Sequence, residues 1–175
     1  MIKTLALIAL AALAVLLIVA ATRPDTFRVQ RSALVNAPAD RVHALINDLR
    51  QFNTWNPYEK KDPLMKGEYR GPAAGPGAAY SFKGNKEVGT GSLEILKSEP
   101  SKVTMKLHMR EPFEAQNTVE FVLAPRGSAT EVTWAMNGAS PFVARIVGLF
   151  MDMDRMIGRD FEAGLANLKV RAERG

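Results

Sequence analysis

The chain has 175 residues, 47% of them hydrophobic, a net charge of +5 and no cysteine. The missing thiols exclude a disulfide scaffold, a thiol nucleophile and any zinc site built on thiolate. Two separated histidines, His43 and His108, leave little for a histidine metal centre, and at 23% charged residues the composition is that of a folded chain.

The hydrophobic fraction is unevenly spread. Residues 4–21 read TLALIALAALAVLLIVAA, in which 17 of 18 positions are apolar and none is Pro, Gly or charged. As a helix rising ~1.5 Å per residue the run is about 27 Å long, close to the hydrocarbon thickness of a bilayer. From Thr22 onward only about 41% of residues are apolar, somewhat below the average for a globular domain. The sequence therefore divides into a lipid-compatible segment, residues 1–22, and a water-soluble domain, residues 23–175. A retained single-pass anchor and a cleaved secretory signal both fit the first segment, since Lys3 and Val19-Ala20-Ala21 give a weak signal pattern. The length exceeds the usual ~7–15 residues of a signal core and favours the anchor. Lys3 on one side and Arg23, Arg28 and Arg31 on the other leave the sidedness open, with a secreted or periplasmic domain if the segment is cleaved.

Residues 26–35 alternate as a strand, with Phe27, Val29 and Arg31 against Arg28 and Gln30. Pro38 then suits a helix start, and residues 39–47 place Val42, Leu45 and Ile46 on one helical face. A second short helix over residues 48–55 buries Leu49, Phe52 and Trp55, and Asn56-Pro57 ends it. Gly- and Pro-rich breaks follow at residues 67, 71–72 and 75–77. Six strands are predicted at residues 64–70, 78–83, 89–98, 102–109, 113–123 and 130–137. Gly84-Asn85, Glu99-Pro100, Glu111-Pro112 and Arg126-Gly127 mark the turns of an antiparallel meander.

The chain closes on its longest predicted helix, capped by Ser140 and opened by Pro141. Phe142, Ile146, Leu149, Phe150, Met153, Ile157, Phe161, Leu165 and Leu168 make one apolar stripe over about 30 residues. Gly148, Gly158 and Gly164 interrupt it, each costing about 1 kcal/mol against Ala, which predicts a close approach or a bend. One curved antiparallel sheet of about seven strands around a long C-terminal helix satisfies this order, an α+β arrangement.

These elements carry a recognisable pattern. Ala37-Pro38-Ala39-Asp40-Arg41-Val42, Leu49-Arg50-Gln51-Phe52-Asn53-Thr54-Trp55-Asn56-Pro57, Gly91-Ser92-Leu93-Glu94-Ile95, Pro141-Phe142 and Phe161-Glu162-Ala163-Gly164-Leu165-Ala166-Asn167-Leu168-Lys169 resemble the SRPBCC superfamily. This is the START-like or helix-grip fold, and the likeness is to its polyketide cyclase/dehydrase-like branch. It spans about residues 27–171, and many members of the branch carry a single N-terminal membrane segment. The resemblance implies a cavity between sheet and helix that holds a hydrophobic small molecule or lipid. It does not imply one activity, because the superfamily contains carriers and enzymes alike.

Strand alternation selects the candidate lining. The expected cavity residues are Tyr80, Phe82, Met105, Leu107, Met109, Asn117, Val119, Trp134 and Met136 from the sheet. Phe142, Ile146, Phe150, Met153 and Ile157 come from the helix, and Trp55 and Tyr58 from one mouth. Met105, Met109, Met136, Met151, Met153 and Met156 suit a pocket that adapts to its ligand. Asn117 is the polar exception in an apolar face, and a buried amide needs partners. Asp152 and Asp154 look like a metal pair, but residues two apart on a helix point about 200° apart, and Asp152 is expected to pair with Arg155. Glu59, Glu111 and Glu114 lie near predicted turns from which they could reach a cavity mouth, and solvated surface is the expectation for them. No metal, cofactor or nucleotide motif is found: the glycine-rich stretches read as turns, and the scattered basic residues argue against a nucleic-acid partner. The expectation is a membrane-tethered binder of an apolar ligand, with a cyclase or dehydratase enzyme and an interaction module with a filled cavity as alternatives. No oligomeric state is read from the sequence.

Overall fold

The computed structural model describes residues 1–174. Helix α1 (Ile2–Thr22) is uncovered over most of its length, with only Ala20 buried. Strand β1 (Thr26–Val35) follows after a three-residue connection. Next come three short helices, α2 (Ala39–Asn47), α3 (Leu49–Trp55) and α4 (Pro57–Lys61). The meander is β2 (Lys66–Arg70), β3 (Ala79–Lys83), β4 (Thr90–Glu99), β5 (Lys102–Glu111), β6 (Ala115–Arg126) and β7 (Ala129–Ala139). Helices α5 (Phe142–Val147) and α6 (Met153–Glu173) close the chain. The seven strands form one antiparallel sheet in the order β1-β7-β6-β5-β4-β3-β2, so β1 pairs with the last strand of the meander. The helix-grip α+β expectation holds.

Two elements differ from the sequence reading. Asn56-Pro57 ends one helix but also opens another. Asn56 Oδ1 accepts from the Tyr58 main-chain N–H at 3.3 Å, and Pro57 takes the first helical position, where its missing N–H does no harm. The C-terminal stripe is not one helix. It breaks between Val147 and Met153, where Gly148 ends α5 and the Asp152 carboxylate accepts from the Arg155 main-chain N–H at 2.9 Å to cap α6. Asp152 therefore meets Arg155 through its backbone rather than its guanidinium. Nor does Ser140 cap a helix: its N–H donates to Asp25 O at 2.6 Å, and Pro141 occupies the cap position of α5.

The other two helix glycines mark close approaches. A Cβ on Gly164 would meet the Trp134 ring and Pro57, and one on Gly158 would meet the Arg31 guanidinium. The first contact draws α6 down onto the sheet. At the second, Arg31 Nε donates to Glu162 Oε1 at 2.8 Å and Nη2 to Asp154 Oδ2 at 2.9 Å, tying β1 to α6. The Asp154 carboxyl is held below the usual range by the Arg31 hydrogen bond. Arg31 is thus a polar strap on an otherwise apolar face.

The topology gathers several features at one end of the sheet. The start of β1, the end of β7, the β3–β4 and β5–β6 turns and the entry to β2 all lie there. The exit of α1 and the whole of α5 belong to the same end. Arg145 Nη1 on α5 donates to Arg23 O at 3.2 Å and Ala21 O at 3.4 Å, fixing α5 beside the last turn of α1.

Candidate functional site at the open end of the sheet

The strand register sorts the side chains on the helix-facing side into rows. One row is Arg31, Trp134, Phe121 and Val103. The next is Val29, Met136, Val119, Met105 and Ile95. The third is Phe27, Gly138, Asn117, Leu107, Leu93 and Tyr80. A last row at the open end holds Ala115, Met109, Gly91 and Phe82.

Burial falls across these rows. An aromatic cluster fills the space over the first. The Trp134 and Phe161 rings stack at 4.2 Å, Phe121 lies 5.0 Å from Trp134, and Trp55 meets Trp134 edge-on at 5.8 Å. Aromatic pairs in this range gain about 0.5–1.5 kcal/mol beyond the area they bury. The second row is buried throughout, and from the third row outward Phe27, Leu107, Asn117, Met109 and Phe82 are only half-buried.

The predicted lining residues consequently separate. Trp55, Tyr80, Met105, Val119, Trp134 and Met136 are buried in the core. Phe82, Leu107, Met109 and Asn117 are half-buried in the outer rows of the sheet, and Tyr58, Ile146 and Ile157 are half-buried on helices α4, α5 and α6. Phe142, Phe150 and Met153 are exposed, as are Met151 and Met156. A cavity running the whole length of the helix does not form, because the aromatic cluster occupies its inner half. The remaining apolar ground is the outer half. There Asn117 folds over Gly138, where a Cβ would meet its amide oxygen. Among the described residues the Asn117 side chain makes no hydrogen bond, so its donors and acceptor stay free at the edge of an apolar row.

A crevice of about 540 Å³ opens at this end, between the start of β1 and the α5–α6 break. Phe27, Leu149, Phe150 and Met153 line it, with Arg23 and Arg145 at its rim. A larger crevice of about 940 Å³ lies on the far side, between α2, α3 and the end of α6. Its lining includes Arg41, His43, Lys60, Arg171 and Arg174 and none of the residues expected from the sequence. An apolar ligand there would displace water from charged groups, so size does not outweigh chemistry.

One polar pairing was not expected from the sequence, and it draws Glu59 away from the solvated surface. Glu59 on α4 is half-buried and accepts from the Tyr80 hydroxyl at 2.9 Å. Burial raises the Glu59 carboxyl above its ordinary value, and the Tyr80 hydrogen bond partly opposes the shift. Burial and then Glu59 raise the Tyr80 hydroxyl in turn. Nearby, Lys61 Nζ donates to Asp160 Oδ2 at 2.7 Å, and burial followed by the Asp160 charge raises the Tyr58 hydroxyl. The signal was the position of Tyr80 on the inner face; nothing in the sequence linked it to a glutamate 21 residues away. The remaining acidic candidates behave as ordinary surface. Glu111 accepts from Thr90, Glu114 meets His108 at 3.3 Å, and His43 meets Ser98 at 3.0 Å. Among the described residues no three acidic or histidine side chains converge as a metal site.

A curved sheet gripping a helix, packed at one half and open and apolar at the other, defines the class of helix-grip ligand-cavity proteins. The family described as "Polyketide cyclase / dehydrase and lipid transport" matches residues 26–173, and the chain belongs to it, within the SRPBCC superfamily. Similar solved structures include protein CV1439 from Chromobacterium violaceum, at 15% identity over 86% of this chain and 99% of that one, with a TM-score of 0.60. Major latex-like protein 151 from Panax ginseng shares 12% identity over 85% and 99% of the two chains, with a TM-score of 0.61. A protein from Thermobifida fusca shares 24% identity over 84% and 93%, with a TM-score of 0.58. These likenesses define the fold. No curated protein matches the chain.

Proposed function

We propose that the protein is a membrane-tethered binder of an apolar small molecule or lipid, held at the open end of the helix-facing side of the sheet. The observation that carries this reading is the half-buried stretch Phe27, Gly138, Asn117 and Leu107 of the third row, apolar except for one unpaired amide, at the end from which α1 leaves; the row becomes buried only at Leu93 and Tyr80. Apolar contact supplies the affinity of such a site, and the amide orients a ligand hydroxyl or carbonyl. Helix α1, 21 residues long and apolar, is the tether and residues 23–175 are the binding domain. A ligand that partitions into lipid then has a short path to its site.

The test is native mass spectrometry of residues 23–175, prepared without detergent and offered fatty acids, sterols and aromatic polyketides. At least one class should add a defined mass that survives gentle activation. A homogeneous unliganded mass across the whole panel would sink the binder.

Glu59 supports a second reading, an enzyme of cyclase or dehydratase type. A half-buried carboxyl with a raised pKa and a tyrosine partner can act as a general acid. If the chain turns over a polyketide-like substrate, Glu59→Gln and Tyr80→Phe should each lower kcat by about 10²-fold or more, within the usual reach of a proton donor. Turnover undiminished in both variants would remove Glu59 from the chemistry.

A further inference from the structure

Outside α1, the four most exposed large apolar side chains among the described residues are Leu64 (88%), Phe113 (81%), Phe150 (73%) and Val143 (69%). They come from separate stretches of sequence: the entry to β2, the β5–β6 turn, the α5–α6 break and α5 itself. The register brings all four stretches to the same end of the sheet. Lys66 pairs with Lys83, Lys83 with Thr90 and Thr90 with Glu111, so Leu64 and Phe113 project beyond the same end of the strands at which β1 begins and β7 ends, Leu64 at the β2 side of the sheet and α5 at the β1 side. Val147 on α5 and Met151 in the α5–α6 break, also exposed, add to the apolar surface at this end.

Isolated exposed apolar residues are ordinary, but loop tips that converge on one end are not. What lies next to that end is fixed by chain length. Only Arg23, Pro24 and Asp25 separate the last residue of α1 from the first of β1. The four extended steps from Thr22 to Thr26 reach about 14 Å at most. If α1 spans the bilayer, the start of β1 cannot stand farther from it than that. Arg145 narrows the choice, because its two hydrogen bonds to the closing carbonyls of α1 place α5 at the same depth as the helix exit. Its guanidinium also lies 5.3 Å from the Phe142 ring of the same helix.

We infer that Leu64, Phe113, Val143, Val147, Phe150 and Met151 form a bilayer-docking face, immersed at the boundary between headgroups and acyl chains. The inference rests on the reading of α1 as a retained anchor and goes beyond it. A tether alone leaves the domain free to tumble, whereas a docked face sets its orientation. Docking turns the crevice lined by Phe27, Phe150 and Met153 toward the membrane, so that a lipid-soluble ligand enters without crossing bulk water.

The chain contains no cysteine, which makes the test direct. Single variants Leu64→Cys, Phe113→Cys and Phe150→Cys of the full chain are labelled with an environment-sensitive fluorophore. They are reconstituted in vesicles of phosphatidylcholine and phosphatidylglycerol. Leu96→Cys on the outer sheet face and Val170→Cys near the end of α6 serve as aqueous controls, and Val15→Cys reports on α1. Quenching by lipids carrying a nitroxide on the acyl chain should exceed the aqueous controls several-fold at positions 64, 113 and 150. Aqueous iodide should show the reverse order. Quenching at Val15→Cys with all three loop labels at the control level would overturn the docking face and leave the anchor intact. If lipid nitroxide reaches neither Val15→Cys nor the loops, the anchor itself is wrong and docking falls with it. Loop quenching without Val15 quenching would establish docking independently of a span.

Discussion

Replacing Trp134 with alanine is expected to destabilise the domain by about 3–5 kcal/mol, the usual range for emptying a large buried aromatic site. Trp134 sits at the meeting point of three layers. It stacks on Phe161 of α6, meets Trp55 and Phe52 of α3, and lies beside Phe121 on the neighbouring strand. The glycine at position 164 lets α6 approach the indole directly, so the space left by truncation is bounded by backbone as well as side chains and collapses poorly. Domains of this size are stable by only about 5–15 kcal/mol, so the loss is a large fraction of the total. The indole N–H adds a discriminating detail. It is buried and has no hydrogen-bond acceptor among the described residues, and such a donor carries a penalty of about 1–3 kcal/mol. Trp134→Phe removes that donor together with part of the ring. Its net loss should be much smaller than that of Trp134→Ala, about 1–2 kcal/mol at most. Urea unfolding of the two variants measures both. A Trp134→Ala loss below about 1 kcal/mol would mean that the aromatic cluster is not the centre of the core.

How much of this was legible beforehand follows from which interactions are local. Strand alternation is a local property, and it placed Met105, Val119 and Met136, or Leu107 and Asn117, on a common face correctly, as their direct pairing shows. The helix glycines at 158 and 164 were legible as close approaches for the same reason: a residue that weakens a helix needs an external cause. The break between α5 and α6 was not legible. The apolar period runs through it; Gly148 hinted at a bend, but the end of α5 at Gly148 and the fresh start of α6 at the Asp152 cap are set by local hydrogen bonds that the period does not show.

The site was harder, because its contents depend on volume rather than period. Alternation shows which side chains face the helix but not how much of the intervening space they fill. Trp55 and Trp134 read as lining and are buried in the aromatic cluster, where Phe52 of α3, Phe121 of β6 and Phe161 of α6 crowd against them. The Glu59–Tyr80 pair joins α4 to β3, and Arg31 joins β1 to residues more than 120 positions later. Contacts of such separation leave no mark on spacing. The exposed apolar tips at Leu64 and Phe113 were likewise invisible as a group, since only the register shows that they share an end.

Leu107→Trp is expected to reduce capture of the apolar ligand by at least tenfold, about 1.4 kcal/mol in binding free energy, while leaving the fold intact. Leu107 pairs with Asn117 on one side and Leu93 on the other, in the row where burial gives way to exposure. A larger ring there extends into the open half of the groove, not into the aromatic core. Overpacking strain therefore stays small, and the volume the ligand needs is taken instead. Val122→Trp supplies the control. Val122 lies one residue from Phe121 and points to the outer face, where an added indole changes the surface apolar area without entering the groove. Titration of both variants with whichever ligand class the domain retains separates the possibilities. Equal affinity in Leu107→Trp and the parent would place the ligand elsewhere, and the crevice between α2 and α6 would then be the site to test next. Asn117→Ala refines the result. Loss confined to ligands with a hydroxyl or carbonyl would identify the amide as the orienting contact, since truncating it leaves the apolar row of Phe27 and Leu107 in place.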